Sequence, residues 1–183
     1  MSAKPYQYKH FPDFPDGEYE ARYQRLRERA SQMGIDALVL TTETNNRYFT
    51  GLKTTIFRLK MRPMFVILPM RSDREPVLVI PEFLEACALA TSWVRDIRMA
   101  SECYGKENRD ATDILIGVLK DMGLSEATLG MELGEAQHLA MSQTQFEHLR
   151  ADLPHVRIVD AAAAIWSVRR VKSDLEIEAL KTA

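Results

Sequence analysis

Ile35-Asp36-Ala37-Leu38-Val39-Leu40 is the stretch on which the fold turns. It is short and almost continuously apolar, as a strand covered on both faces should be. Before it, Tyr19, Tyr23, Leu26, Ala30 and Met33 recur at spacings of four, three, four and three. That period predicts one face of a helix over residues 18–33, with Gly34 as its stop. After it, Thr44-Asn45-Asn46-Arg47-Tyr48-Phe49-Thr50-Gly51 is turn-rich, with room for a single helical turn.

The same grammar continues outward. Met64-Phe65-Val66-Ile67-Leu68 and Val77-Leu78-Val79-Ile80 are continuous apolar runs, each bracketed by prolines. Between them lie Arg71, Ser72, Asp73 and Arg74, which suits a hairpin-like connection and an antiparallel part of the sheet. Residues 82–90 read as helix and 94–99 as strand. Residues 110–122 read as helix, with Ile114, Leu115, Val118, Leu119 and Met122 on one face and Gly123 after it. Residues 128–132 and 156–159 read as strands, and 141–152 as a helix ending before Pro154. Asp160 is placed to cap a helix over 161–168. The sum is an α/β domain: a mixed, mostly parallel sheet of about five to six strands with helices on both faces.

The ends differ from this body. Residues 1–17 form an N-terminal arm, broken by Pro5, Pro12 and Pro15, whose Tyr6, Tyr8, Phe11 and Phe14 can pin it to a surface. Ser173-Asp174-Leu175-Glu176 is a capping box that opens a linker helix over 173–183, with Ile177, Leu180 and Ala183 on one side. The domain proper is then 18–172.

Composition limits what the chain can do. The 183 residues carry 24 Lys+Arg against 26 Asp+Glu, a balance that argues against nucleic-acid binding. No apolar run is long enough to cross a bilayer, and the polar N-terminus lacks a signal-peptide core. Cys87 and Cys103 form no CxxC pair and read as reduced thiols, so the expected location is the cytoplasm. No GxSxG, P-loop, GxGxxG or HExxH is present. Glu135 and His138 form a lone ExxH, read as a solvated stretch; His10, His148 and His155 have no matching carboxylates. Lys53-Thr54-Thr55-Ile56-Phe57-Arg58-Leu59-Lys60-Met61-Arg62 holds four positive charges and no acid. Its readings are a solvated basic face, a carboxylate contact through an arginine fork beside Phe57, or a phosphate or RNA contact that the balanced overall charge disfavours.

In order along the chain, several motifs resemble the N-terminal domain of the creatinase/prolidase family. They are Arg25-Leu26, Met33, the Ile35-Asp36-Ala37-Leu38-Val39-Leu40 strand, Asn45-Asn46-Arg47-Tyr48-Phe49-Thr50-Gly51, the Arg62-Pro63-Met64-Phe65-Val66-Ile67-Leu68-Pro69 strand and Leu129-Gly130-Met131-Glu132. The series closes with Arg169-Arg170-Val171-Lys172-Ser173…Glu176-Ile177…Leu180. Leu52 departs from the family, many of whose members have Phe there. The resemblance implies a non-catalytic domain, with no cofactor of its own, ahead of a C-terminal catalytic domain of the same polypeptide. That second domain would hold two divalent metals (Mn, Co or Zn) in peptidase members and none in creatinase. It implies a homodimer acting on a Xaa-Pro peptide or a small amide or amidino compound, or in some relatives a lyase substrate. It also makes Phe57, Arg58 and Arg62 the substrate-binding residues, with no catalytic or metal residue in this chain. The rival reading is a stand-alone protein-interaction module. A free-standing enzyme finds no nucleophile–base pair to support it.

Overall fold

A computed structural model describes residues 9–55, 63–101 and 110–182. One sheet of six strands runs in the order β4-β3-β2-β1-β5-β6. The strands are β1 (Ala37–Leu40), β2 (Phe65–Pro69), β3 (Val77–Pro81), β4 (Asp96–Ala100), β5 (Thr128–Met131) and β6 (Arg157–Asp160). The β3–β4, β1–β5 and β5–β6 pairings are parallel; β1–β2 and β2–β3 are antiparallel. The hairpin foreseen between the two proline-bracketed runs is therefore β2–β3, inserted into an otherwise parallel sheet.

Strand pleating divides the core in two. Leu38, Leu40, Val66, Leu68, Leu78 and Ile80 face one side, where α1 (Asp16–Gln32), α2 (Glu43–Thr50), α3 (Glu85–Thr91) and α6 (Ala162–Arg169) cover them. Ala37, Val39, Phe65, Ile67, Val77 and Val79 face the other, under α4 (Ala111–Asp121) and α5 (Gln143–Asp152). β1, β2 and β3 are buried at every position, which is why their sequences run apolar without alternation. The chain ends in α7 (Asp174–Thr182).

Local signals act as read, with three shifts. Met33 is 45% exposed rather than core, because α1 stops at Gln32 and Gly34, at φ +70°, turns the chain into β1. Residues 82–90 split into a 3₁₀ turn at Glu82–Leu84 and then α3. The segment expected to hold one helical turn is a two-turn helix, α2. Thr42 caps it by accepting from the Asn45 amide, and Gly51 ends it at φ +78°. A Cβ at Gly51 would lie 2.7 Å from the Thr91 carbonyl, so this closure takes only glycine.

Candidate functional site

β1 and β5 are parallel neighbours, but the chain leaves their carboxyl ends toward opposite faces: α2 on one, α5 on the other. Such a divergence opens the crevice where α/β sheets commonly seat ligands. Here a side chain of the protein fills it. Glu132, one residue past β5, is fully buried. Its Oε2 accepts from the Thr41 amide (2.6 Å), the Thr41 hydroxyl (2.6 Å) and the Thr42 amide (3.1 Å). Its Oε1 accepts from the Thr42 hydroxyl (2.5 Å) and Asn45 Nδ2 (2.5 Å). Five donors thus surround one carboxylate, two of them amides at the positive end of α2.

The network reaches outward through Asn45. Its Nδ2 also donates to Gln137 Oε1 (2.8 Å), and its Oδ1 accepts from Arg169 Nη1 (2.9 Å). Arg169 stacks over Trp166 at 4.7 Å and lies 5.7 Å from the Tyr48 ring. Burial holds its guanidinium below the usual arginine range. The loop after β5 closes over the crevice, with Ala140 N donating to the Thr41 hydroxyl and Trp166 Nε1 to the Glu135 carbonyl. Within this loop Ala136 sits at φ +55°, a strained conformation for a residue with a side chain.

A second polar centre lies beside the first. Arg22 of α1 is 1% exposed. Its Nε donates to Glu18 (2.9 Å) and its Nη1 to the Tyr48 carbonyl (3.0 Å). Its guanidinium is sandwiched between the Phe14 ring at 4.5 Å and the Tyr48 ring at 4.3 Å. Burial, and then the charge of Glu176, push the Tyr48 hydroxyl above its ordinary value. An open cleft of about 560 Å³ runs past these groups, with Asp13, Phe14, Arg22, Tyr48, Glu176 and Ala179 among its walls. The arm closes one end: Asp13 pairs with Arg47 and Lys53, both at 2.7 Å. Desolvation alone would raise the Asp13 carboxyl, but these two cations hold it below the usual range.

Phe57, Arg58 and Arg62 lie outside the described residues, as do Tyr6, Tyr8 and Cys103. Of the basic segment, Lys53 is described, paired with Asp13. Glu135 and His138 are both exposed. His10 bonds Asp16 at 2.8 Å, and His148 lies 3.4 Å from Asp113 across α4 and α5. Cys87 is half-buried. Among the described residues there is no group of three or more His, Cys, Asp or Glu suited to hold a metal ion.

Sequence reading missed Arg22, Asn45, Glu132 and Arg169 as a linked set. One signal was available: Arg22 falls within the buried stripe of Tyr19, Tyr23 and Leu26, where a cation needs partners.

The family model for the creatinase/prolidase N-terminal domain matches residues 22–171, most of the chain. The chain belongs to this family. Ectoine hydrolase of Halomonas elongata is 29% identical over 175 residues, covering 93% of this chain and 42% of that protein. In fold, the chain resembles prolidase of Thermococcus sibiricus, with a TM-score of 0.72 at 17% identity, over 90% of this chain and 40% of that one. It also resembles the N-terminal domain of the cytoplasmic peptidase PepQ of Mycobacterium tuberculosis. There the TM-score is 0.60 at 18% identity, over 81% of this chain and 98% of that domain. The chain spans about two fifths of the length of the curated relatives it matches. The crevice around Glu132 lies within the region matched to the creatinase/prolidase N-terminal domain, whereas Phe14, Glu18, Glu176 and Ala179 of the Arg22 centre and cleft flank it.

Proposed function

We propose that this chain is the non-catalytic N-terminal domain of a metallopeptidase-like hydrolase. The parent would break a C–N bond in a Xaa-Pro peptide or a small amide or amidino compound. The observation that carries this reading is the family match over 22–171, set against relatives whose matched region is only about two fifths of their length. A hydrolytic step belongs to a following C-terminal domain, where two divalent metals (Mn, Co or Zn) would activate water.

The role of this domain is then to build a homodimer and to supply one wall of the substrate site. For the wall we propose Phe57, Arg58 and Arg62. An arginine fork pairs with a substrate carboxylate in bidentate fashion, and the aromatic ring packs against its apolar part. We place the protein in the cytoplasm. No helix among the described residues is long and apolar enough to cross a membrane.

The test is to read the gene past codon 183 and to express the product it encodes. The reading expects a downstream segment with two Asp, one His and two Glu in family order. It also expects hydrolysis of Xaa-Pro dipeptides that depends on manganese or cobalt. Arg58→Ala or Arg62→Ala should then raise KM by roughly 10–100-fold, the worth of a charge-assisted contact. A frame that closes at codon 183, with a partner protein captured in a manner that needs Phe57 and Arg62, would make the chain an interaction module instead.

A further inference from the structure

α7 is attached to the domain by polar contacts. Leu175, Ile177 and Leu180 are 44%, 40% and 64% exposed, and the one buried residue of the helix is an acid, Glu176. Glu176 does two jobs. It completes the capping box: its amide donates to Ser173 Oγ (3.2 Å), and its Oε2 accepts from the Ser173 amide (3.0 Å). The same carboxylate points into the domain, where the Tyr48 hydroxyl donates to Oε2 at 3.5 Å. Arg22 Nη2 lies 3.8 Å from Oε1.

That last distance is the informative one. Arg22 Nη2 is buried and has no hydrogen-bond partner. The Glu176 carboxylate forms an ion pair with it but stops roughly 1 Å short of an ordinary N–H···O separation. A buried charged donor left unmatched is costly, and here the acceptor that would relieve it sits on α7. Glu176 and Ala179 also form the α7 side of the cleft, opposite Tyr48 and Phe14. Inward movement of α7 would complete the Arg22 pair and narrow the cleft. Outward movement would break a single anchor and widen it.

We propose that α7 is a latch over this cleft, with Glu176 as the catch and Arg22 and Tyr48 as its seat. The helix moves as a unit, because its capping box is made within residues 173–176 and survives release. Cleft occupancy and α7 position are therefore linked: whatever fills the space between Tyr48 and Ala179 acts on α7, and whatever grips α7 acts on the cleft. This inference does not rest on the hydrolase reading.

Glu176→Gln separates the two jobs, since glutamine keeps a capping box but loses the charge that Arg22 holds. The measurement is amide hydrogen exchange on the 183-residue chain, comparing a peptide over α7 with one over α6. The latch predicts that Glu176→Gln speeds α7 exchange by about tenfold while α6 is unchanged, as for a locally opening unit. Tyr48→Phe, which deletes only the hydroxyl contact, should speed α7 by about twofold. Unchanged α7 exchange in Glu176→Gln would overturn the proposal. So would α7 and α6 speeding up together, since Glu176 would then be part of the global fold and no latch.

Discussion

Replacing Glu132 by glutamine removes one charge and almost no volume, so its effect isolates the electrostatics of the crevice. Glutamine can place its carbonyl where Oε2 stands and keep the Thr41 and Thr42 amides and the Thr41 hydroxyl. These bonds then lose their charge assistance, roughly 1 kcal/mol each. The amide nitrogen must take the place of Oε1. The Thr42 hydroxyl can turn to accept from it, but Asn45 Nδ2, 2.5 Å away, is itself a donor. Asn45 cannot flip without turning its amide toward Arg169 and its carbonyl toward the Gln137 carbonyl oxygen. One buried donor is left facing another, at a cost of about 1–3 kcal/mol. The expected loss is about 4–6 kcal/mol, close to the range found when one partner of a buried charged network is removed. For a chain of this length, each kcal/mol moves Tm by roughly 2–4 °C, so Tm should fall by about 8–24 °C. Urea unfolding followed by the fluorescence of Trp93 and Trp166 measures the free energy, and calorimetry measures Tm. A loss below about 1 kcal/mol would show that Glu132 merely fills space, and the reading of the crevice would fail.

Three further outcomes are expected. Gly51→Ala should destabilise by more than about 1 kcal/mol, because φ is +78° and the new methyl would meet the Thr91 carbonyl at 2.7 Å; a neutral result in urea unfolding would contradict the strain argument. Ala136→Gly should be neutral or stabilising by about 0.5–1 kcal/mol, since it releases an alanine held at φ +55°, and a clear drop in Tm would count against it. Asp13, whose carboxyl is held below its ordinary value of 3.8, should tie the arm down fully above about pH 4 and lose that contribution as pH falls through its lowered folded value. The effect is a surface one and small. Asp13→Asn should abolish the acid-induced rise in amide exchange around Phe11, whose N–H bonds the Ala90 carbonyl.

The body of the fold was legible because its signals are local. Apolar runs bracketed by Pro63 and Pro69, and by Pro76 and Pro81, name β2 and β3, and the polar residues between them give the hairpin. Gly34 and Gly123 mark real helix ends at positive φ. Asp160 does bond the Ala162 amide, although Ala161 takes the cap position itself. α2 was under-read because its helical signal is weak: Asn45, Asn46 and Thr50 favour turns when isolated. Here a tertiary bond holds Asn45 to Glu132, and a local one runs from Asn46 Nδ2 to the carbonyl of the cap residue Thr42. The polar centres were illegible for a different reason. Glu132 meets Thr41 across 91 residues of chain, and Arg169 meets Asn45 across 124. No spacing rule spans such distances, and only the odd cation in the apolar stripe of α1 hinted that partners existed.

The seam between β1 and β5 has a consequence in time as well as in space. The β2–β3 hairpin, and the pairing of β1 with β2, close short loops and can form early. β1 can pair with β5 only after a loop of some ninety residues has closed, whereas β5 and β6 are joined by a much shorter connection. Topology of this kind places the rate-limiting step at the long-range joint. The Glu132 carboxylate sits at that joint and offers nothing until Thr41, Thr42 and Asn45 are in place around it. Mutations there should therefore slow folding as well as weaken the folded domain, so that this carboxylate bears on how fast the domain forms.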